Sequence, residues 1–135
     1  MKRLTFLFSI IIVVLLVAGL ITAPASAATI VVRARGTAGS ESVNLTVGGS
    51  TIVTWTLTTS MVVRTATTSL SGSCNVQFTN DASGRDVQVD YMAVDGSTRQ
   101  AESQATNTGV WQNSKCGGSN SEWLHCNGYI GFGNV

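Results

Sequence analysis

The chain has 135 residues, 44% of them hydrophobic and only 11% charged, with fourteen glycines and one proline. Eight Lys and Arg against seven Asp and Glu give a formal charge of +1 with no basic cluster, which excludes the electrostatic footprint of a nucleic-acid-binding protein. The length allows one domain and no more.

Lys2 and Arg3 open a segment that continues as an apolar run from about Leu4 to Ile21 and ends at Ala25-Ser26-Ala27. A charged start, an apolar middle and a small-residue end are the layout of a secretory signal peptide, cleaved after Ala27. A retained anchor is the competing reading, because 18 apolar-rich residues almost span a bilayer. The Ala-Ser-Ala site favours cleavage, and no second apolar run follows. Removal of residues 1–27 leaves 108 residues, 28–135, with six bases and seven acids, so the expected product is a secreted domain of net charge about −1 that is free of the membrane.

This domain is rich in Thr, Ser, Val and Gly, a composition that favours strands and turns. Residues 29–35 (TIVVRAR) and 42–48 (SVNLTVG) alternate apolar with polar side chains, as half-buried strands do. Gly48-Gly49 then gives a two-residue hairpin signal before 50–57 (STIVTWTL). Residues 74–80 (CNVQFTN) and 86–94 (DVQVDYMAV) alternate likewise, and Asp95-Gly96 makes a second hairpin signal, with 97–103 (STRQAES) as its return strand. From about Gln104 the alternation gives way to Gly, Asn and Ser, with Trp111, Trp123 and two cysteines embedded. No helical period persists, and short strands with regular turn signals predict an all-β antiparallel sandwich or barrel.

Cys116 and Cys126, ten residues apart in a polar stretch, read as a disulfide in a secreted chain. The alternative, a zinc site on Cys116, His125 and Cys126, lacks the usual ligand spacing. Cys74 is left over and is expected as a small buried apolar residue on a strand. Catalysis has little to build on. The one histidine, His125, sits inside the Cys116–Cys126 loop with no nucleophile-elbow motif nearby. Two-carboxylate glycan hydrolysis would need paired acids across a cleft, from among Glu41, Glu102 and Glu122.

Three of the seven acids, Asp81, Asp86 and Asp90, fall within ten positions. Such crowding calls for a cation among them: arginine, a substrate or a metal. Asp81 and Asp86 bracket a turn containing Gly84, which lets the backbone curl so that both carboxylates and an intervening carbonyl, that of Arg85, face one point. Oxygen ligands of this kind suit Ca²⁺, but three groups leave its shell of six to eight unfilled, to be completed by water or a ligand's hydroxyls. Spacing alone does not separate this from a solvated turn. Asp90 lies about 13 Å along the strand from Asp86 and would need a site of its own. Gln100 and Glu102, sharing one face of the return strand, could meet it there.

The segments VVRARGTAGSESVNLTVGG, WTLTTS, FTNDASGRDVQVDY, RQAES, NTGVWQN and CGGSNSEWLHCNGYIGFG together resemble the calcium-dependent carbohydrate-binding modules of family 60, found joined to bacterial xylanases and related glycanases. The resemblance runs from about Ala28 to Val135. It implies a β-sandwich jelly roll and a non-catalytic module that binds xylan or a similar β-glycan through calcium. Asp81, Asp86 and the Arg85 carbonyl would hold the functional calcium, and two vicinal sugar hydroxyls would complete its shell. Trp111 would be the aromatic platform under the sugar, standing in a polar loop, whereas Trp55 is expected in the core and Trp123 is left open. A second, structural calcium on Asp90, Gln100 and Glu102 follows from similarity to related sandwich modules. Glu41 and Glu122 could serve either site or neither. Two departures stand out: Ser103 where an acid is common, and Met61, Val62 and Val63 where polar or aromatic residues are. Family members usually sit beside a catalytic domain, so a glycoside hydrolase partner, or a module acting alone, is implied. A small secreted hydrolase and a calcium-stabilised surface domain without a sugar ligand are the alternatives.

Overall fold

The computed structural model describes residues 21–135. The leader expected over residues 1–27 therefore lies outside the described residues as far as residue 20, and residues 21–27 form no regular element. The strands are β1 (Ala28–Gly36), β2 (Ser42–Val47), β3 (Ser50–Thr56), β4 (Val62–Thr68), β5 (Ser73–Phe78), β6 (Val87–Val94), β7 (Ser97–Gln100), β8 (Thr106–Gln112), β9 (Lys115–Gly118), β10 (Trp123–Leu124) and β11 (Gly128–Asn134). A single 3₁₀ turn, Ala101–Ser103, is the only helical element among the described residues. Both expected hairpin turns form with positive φ at their two central residues, 57° and 83° at Gly48-Gly49 and 48° and 84° at Asp95-Gly96.

Every ladder is antiparallel. One sheet runs β10-β6-β1-β4, with β7 also pairing to β6, and the other runs β3-β2-β5-β11-β8-β9. The two sheets stack as a β-sandwich jelly roll, as the alternation and the resemblance implied. Ile30 and Val32 of β1 and Val87, Val89 and Met92 of β6 meet Val43 and Leu45 of β2, Val76 and Phe78 of β5, and Ile130 and Phe132 of β11 in one buried cluster. Cys74 is fully buried beside Met92 (3.4 Å between sulfurs), and desolvation pushes its thiol up to about 11, so it packs as an inert apolar group.

Three expectations are corrected. The return strand stops at Gln100 rather than Ser103, because the chain turns through the 3₁₀ segment and buries Ala101. The Gly/Asn/Ser-rich stretch after Gln104 is not loop but carries β8 to β11. Residues 62–68 form β4, whose Val62 and Val63 are exposed because β4 is an outer strand paired only to β1.

Glu41 is completely buried. Its carboxylate accepts hydrogen bonds from the backbone N–H groups of Ala38 (2.6 Å), Gly39 (2.8 Å) and Ser40 (2.9 Å), and the Thr37 hydroxyl lies 3.2 Å away. Through these bonds Glu41 holds the β1–β2 connection. Gly36 is glycine because a methyl group there would overlap the Glu41 carboxylate. Burial opposes ionisation of Glu41, yet the hydrogen bonds outweigh it and hold its carboxyl below the ordinary value of 4.5. A folded pKa below the unfolded one contributes stability above about pH 4.5 that is lost as pH falls through the folded value. Glu41→Gln turns an amide toward backbone donors and is expected to cost about 3 kcal/mol, lowering Tm by roughly 10–20 °C. Thermal melts between pH 2 and 7 should show a smaller acid loss in the variant. An unchanged Tm and acid profile would contradict the role given to Glu41.

Candidate functional site

The Asp81–Asp86 loop joins β5 to β6, and it is pinned by bonds that leave its carboxylates free. The Arg85 N–H donates to the Ala82 carbonyl (3.0 Å), closing a turn in which Gly84 takes φ +78°. Arg85 reaches back with Nε to Ser40 Oγ (3.1 Å) and with Nη1 to the Asn80 carbonyl (3.3 Å). Asp86 N–H donates to Thr37 Oγ1 (2.8 Å), Thr37 N–H donates to the Asp86 carbonyl (3.0 Å), and the Thr37 hydroxyl lies 2.9 Å from the Gly84 carbonyl oxygen. Asp81 N–H donates to Asn127 Oδ1 (2.9 Å). None of these bonds uses the Asp81 or Asp86 carboxylate, or the Arg85 carbonyl. Asp81 is exposed and Asp86 half-buried, so the loop offers oxygen ligands with no donor of the described residues upon them. That is the donor chemistry a hard cation such as Ca²⁺ takes.

The remaining acids are occupied differently. Asp90 sits at an irregularity in the β1–β6 ladder and is ion-paired with Arg33, so arginine is the cation that this member of the acidic run receives. Gln100 pairs across from Tyr91, while Glu102 stands exposed in the 3₁₀ turn, off the strand. Glu102 therefore leaves the strand face that Gln100 keeps, and Asp90 faces Arg33. Among the described residues no three His, Cys, Asp or Glu converge on a common point. Glu122 accepts from Gln88 Nε2 (2.6 Å), and Asp95 accepts from Thr29 N–H (2.8 Å).

Trp111 is 55% exposed at the end of β8, on a strand rather than in the expected loop. Its N–H donates to His125 Nδ1 (3.0 Å), and its register partner on β9 is Cys116. Cys116 is bonded to Cys126 as expected, with Cα atoms 6.2 Å apart, which removes both thiols from any zinc site. The N–H groups of His125 and Cys126 both donate to the Gly109 carbonyl (2.8 and 2.9 Å). Behind them the Trp123 and His125 rings stack at 6.0 Å, and the Arg35 guanidinium lies 5.9 Å from the Trp123 ring centre. Trp123 thus backs His125, which holds the Trp111 backbone, while Trp55 is half-buried against the core.

Asn107 and Asn127, which sequence reasoning missed, and His125, which it weighed only for zinc or catalysis, complete this end of the molecule. Asn107 is buried; its amide donates to the carbonyls of Ser121 and Trp123 (both 3.0 Å), and its Oδ1 accepts from the N–H groups of Gly109 (3.1 Å) and Val110 (2.8 Å). His125 and Asn127 flank Cys126 and hold the Trp111 backbone and the Asp81 backbone respectively. For Asn107 and Asn127 a polar residue in a Gly-rich stretch was the only signal, and the partners Ser121, Trp123 and Asp81 lie 14 or more positions away.

A family model described as a Ca-dependent, xylan-binding carbohydrate-binding module, CBM60, matches residues 29–108. The chain belongs to that family. The match takes in the Asp81–Asp86 loop and ends before Trp111. This CBM60 module is 64% identical over 108 residues to endo-1,4-beta-xylanase Xyn11B of Cellvibrio japonicus, covering 78% of this chain and 30% of the enzyme. It is 56% identical over 105 residues to a bifunctional xylanase/xylan deacetylase of the same organism, covering 77% of this chain and 16% of that one. The chain thus spans less than a third of either enzyme. Among solved structures, it superposes on vCBM60, described as belonging to one of two families of calcium-dependent carbohydrate-binding modules linked by circular permutation, with TM-score 0.79 and 67% identity over 79% of this chain and 91% of that one. It superposes equally on vCBM60 in complex with galactobiose, with TM-score 0.78 and 68% identity over 79% and 99% of the two chains.

Removing the Cys116–Cys126 bond with paired alanines is expected to cost about 3 kcal/mol in the chain-entropy model. Tm should fall by roughly 10–20 °C, and Trp111 emission should shift as β9 loosens. A variant with unchanged Tm and emission would show that the Asn107 and Gly109 bonds hold this end alone.

Proposed function

We propose that this module binds xylan or a related β-glycan through a calcium ion held by Asp81, Asp86 and the Arg85 carbonyl, with Trp111 as the platform under the sugar ring. The observation that carries the reading is the pair of unengaged carboxylates in a loop that every other bond holds fixed. Bound there, calcium would supply Lewis-acid coordination of two vicinal hydroxyls. The chain's own part is to present oxygen ligands already spaced, so little ordering entropy is lost on binding. Exposed indole adds contact with sugar CH groups and displaces water from both surfaces.

Recognition by a cation and a ring face reads a hydroxyl pair and an apolar surface rather than a whole sugar. Such a site accepts more than one neutral glycan, which agrees with a family described as xylan-binding and a solved relative in complex with galactobiose. The module binds without turnover, as a member of a family of binding modules, and two of the acids weighed for catalysis have other partners: Glu41 is buried on backbone N–H groups and Glu122 is paired with Gln88. Residues 1–27 act as a signal peptide that delivers residues 28–135 outside the cell. There the module serves a glycoside hydrolase partner, as its counterparts in the two xylanases suggest.

Titration calorimetry of residues 28–135 with xylohexaose, in calcium and in EDTA, tests the reading. Heat is expected in calcium alone. Asp86→Ala should abolish it with an unchanged circular dichroism spectrum. Trp111→Ala should weaken it about tenfold or more while calcium binding persists. Heat that survives EDTA undiminished, or reducing ends that accumulate, would overturn it. Thr37→Val removes the hydroxyl that joins Gly84 to Asp86. It is expected to weaken calcium binding about tenfold, the equivalent of one hydrogen bond of about 1.4 kcal/mol, with Tm in EDTA lowered by only a few degrees. Equal calcium affinity in the two proteins would show that the loop holds its shape without Thr37.

A further inference from the structure

Charge is divided unequally between the two sheets. In the six-stranded sheet the one charged strand residue is Lys115, on the edge strand β9; β2, β3, β5, β8 and β11 contain no Asp, Glu, Lys or Arg, whereas Arg33, Arg35, Arg64, Asp90 and Arg99 all lie on strands of the other sheet. Soluble surfaces normally mix charges of both signs over about a quarter or more of their residues. Across β3, β2, β5, β11 and β8 this sheet is kept neutral.

That sheet is also hollowed. Two adjoining depressions, of about 270 and 200 Å³, share Asn75 and Tyr129 as a common wall. Thr106, Gly131 and Gly133 line one, and Thr46, Gly49 and Gln77 the other. Glycine at 131 and 133 leaves space beside the half-buried Tyr129 ring. Beside Gly133, Arg99 Nη1 donates to the Phe132 carbonyl (2.6 Å), which ties this cation to the fold. Amides, hydroxyls and one aromatic ring, with no charge among them, match the surface of an uncharged sugar chain: hydroxyls to pair and a CH face to cover. The trough is linked along the chain to the candidate calcium loop. Tyr129 is two residues from Asn127, the acceptor of the Asp81 N–H, and it pairs with Gln77 on the strand that leads into that loop.

We infer that the outer face of the six-stranded sheet is a second contact for a neutral glycan chain, metal-independent, centred on Tyr129, Asn75 and Gln77. It goes beyond the calcium reading and does not depend on it. A short oligosaccharide would reach the calcium site alone, and a longer one could lie on both.

Amide chemical-shift mapping of residues 28–135 with xylohexaose and with a galactan oligosaccharide of equal length, in EDTA, tests this. Amides of Asn75, Gln77 and Thr106 are expected to shift with at least one of the two, and equally in Asp86→Ala. Tyr129→Ala should weaken the effect about tenfold. Thr106→Trp, which fills the trough from an exposed position, should abolish it in a protein whose calcium-dependent binding is retained. Silence of this face with both sugars overturns the inference, as do shifts that persist unchanged in both variants. Shifts here together with no calcium-dependent binding would uphold this contact while removing the calcium reading.

Discussion

The buried carboxylate of Glu41 is the constraint on which the proposed site rests. An ion taken out of water costs several kcal/mol unless its lone pairs are satisfied, and here the satisfaction comes from the turn itself. Three successive N–H groups, of Ala38, Gly39 and Ser40, must point inward to reach it, which fixes the path of residues 37–40. That path then becomes a template. Ser40 receives Arg85 Nε on its hydroxyl and Asn80 Nδ2 on its carbonyl, and Thr37 takes Gly84 and Asp86. Asn80 Oδ1 closes the arrangement by accepting from Ser42 N–H at 2.6 Å. The Asp81–Asp86 loop is therefore moulded on the β1–β2 turn, and its carboxylates are left over after every structural bond has been made.

Legibility in the sequence followed the range of the interactions. β1, β2, β3, β5 and β6 alternate because one face packs on the other sheet, and both hairpin turns carried their own glycine signals. β8 and β11 did not read as strands because tight backbone packing has replaced side chains there. A methyl group on Gly109 would lie 2.6 Å from Leu124, and one on Gly128 would lie 2.6 Å from the Gly109 nitrogen. Glycine placed for close approach erases the alternation that announces a strand. β4 was missed for the opposite reason: an outer strand exposes apolar residues, so Val62 and Val63 broke the expected pattern. Within the candidate site, the Asp81–Asp86 loop and the cysteine pair are local and were visible. Thr37, Asn107, His125 and Asn127 act on partners 14 to 49 positions away, and no spacing rule connects them.

The acidic run that first suggested two metal sites resolves into two different solutions to one electrostatic problem. Asp90 lies on a strand, beside Arg33 of the neighbouring strand, and cross-strand pairing of opposite charges removes its need for any other cation. Asp81 and Asp86 have an arginine between them in sequence, but Arg85 is turned away to Ser40 and Asn80. Proximity in sequence did not make the ion pair; the direction of the arginine side chain decided it. A loop that sends its own cation outward keeps its carboxylates for an incoming one.

Both halves of the proposed site are hung on the same three residues. His125 holds the Trp111 backbone, Asn127 holds the Asp81 backbone, and Cys126 between them is tied to Cys116 and to the Gly109 carbonyl. Two residues of extended chain span at most about 7 Å, so neither half can drift far without straining the other's anchor. His125 is itself held from behind by the Trp123 ring under Arg35, and Arg35 Nε is fixed by Gln88 Oε1 at 2.6 Å. β1 thus reaches the Trp111 end through Arg35 and the Asp81–Asp86 loop through the turn that follows it. One strand and one disulfide-closed segment set the separation between the oxygen ligands and the indole. In the proposed site a separation fixed in this way means that a bound sugar pays little to order the protein before it meets both contacts at once.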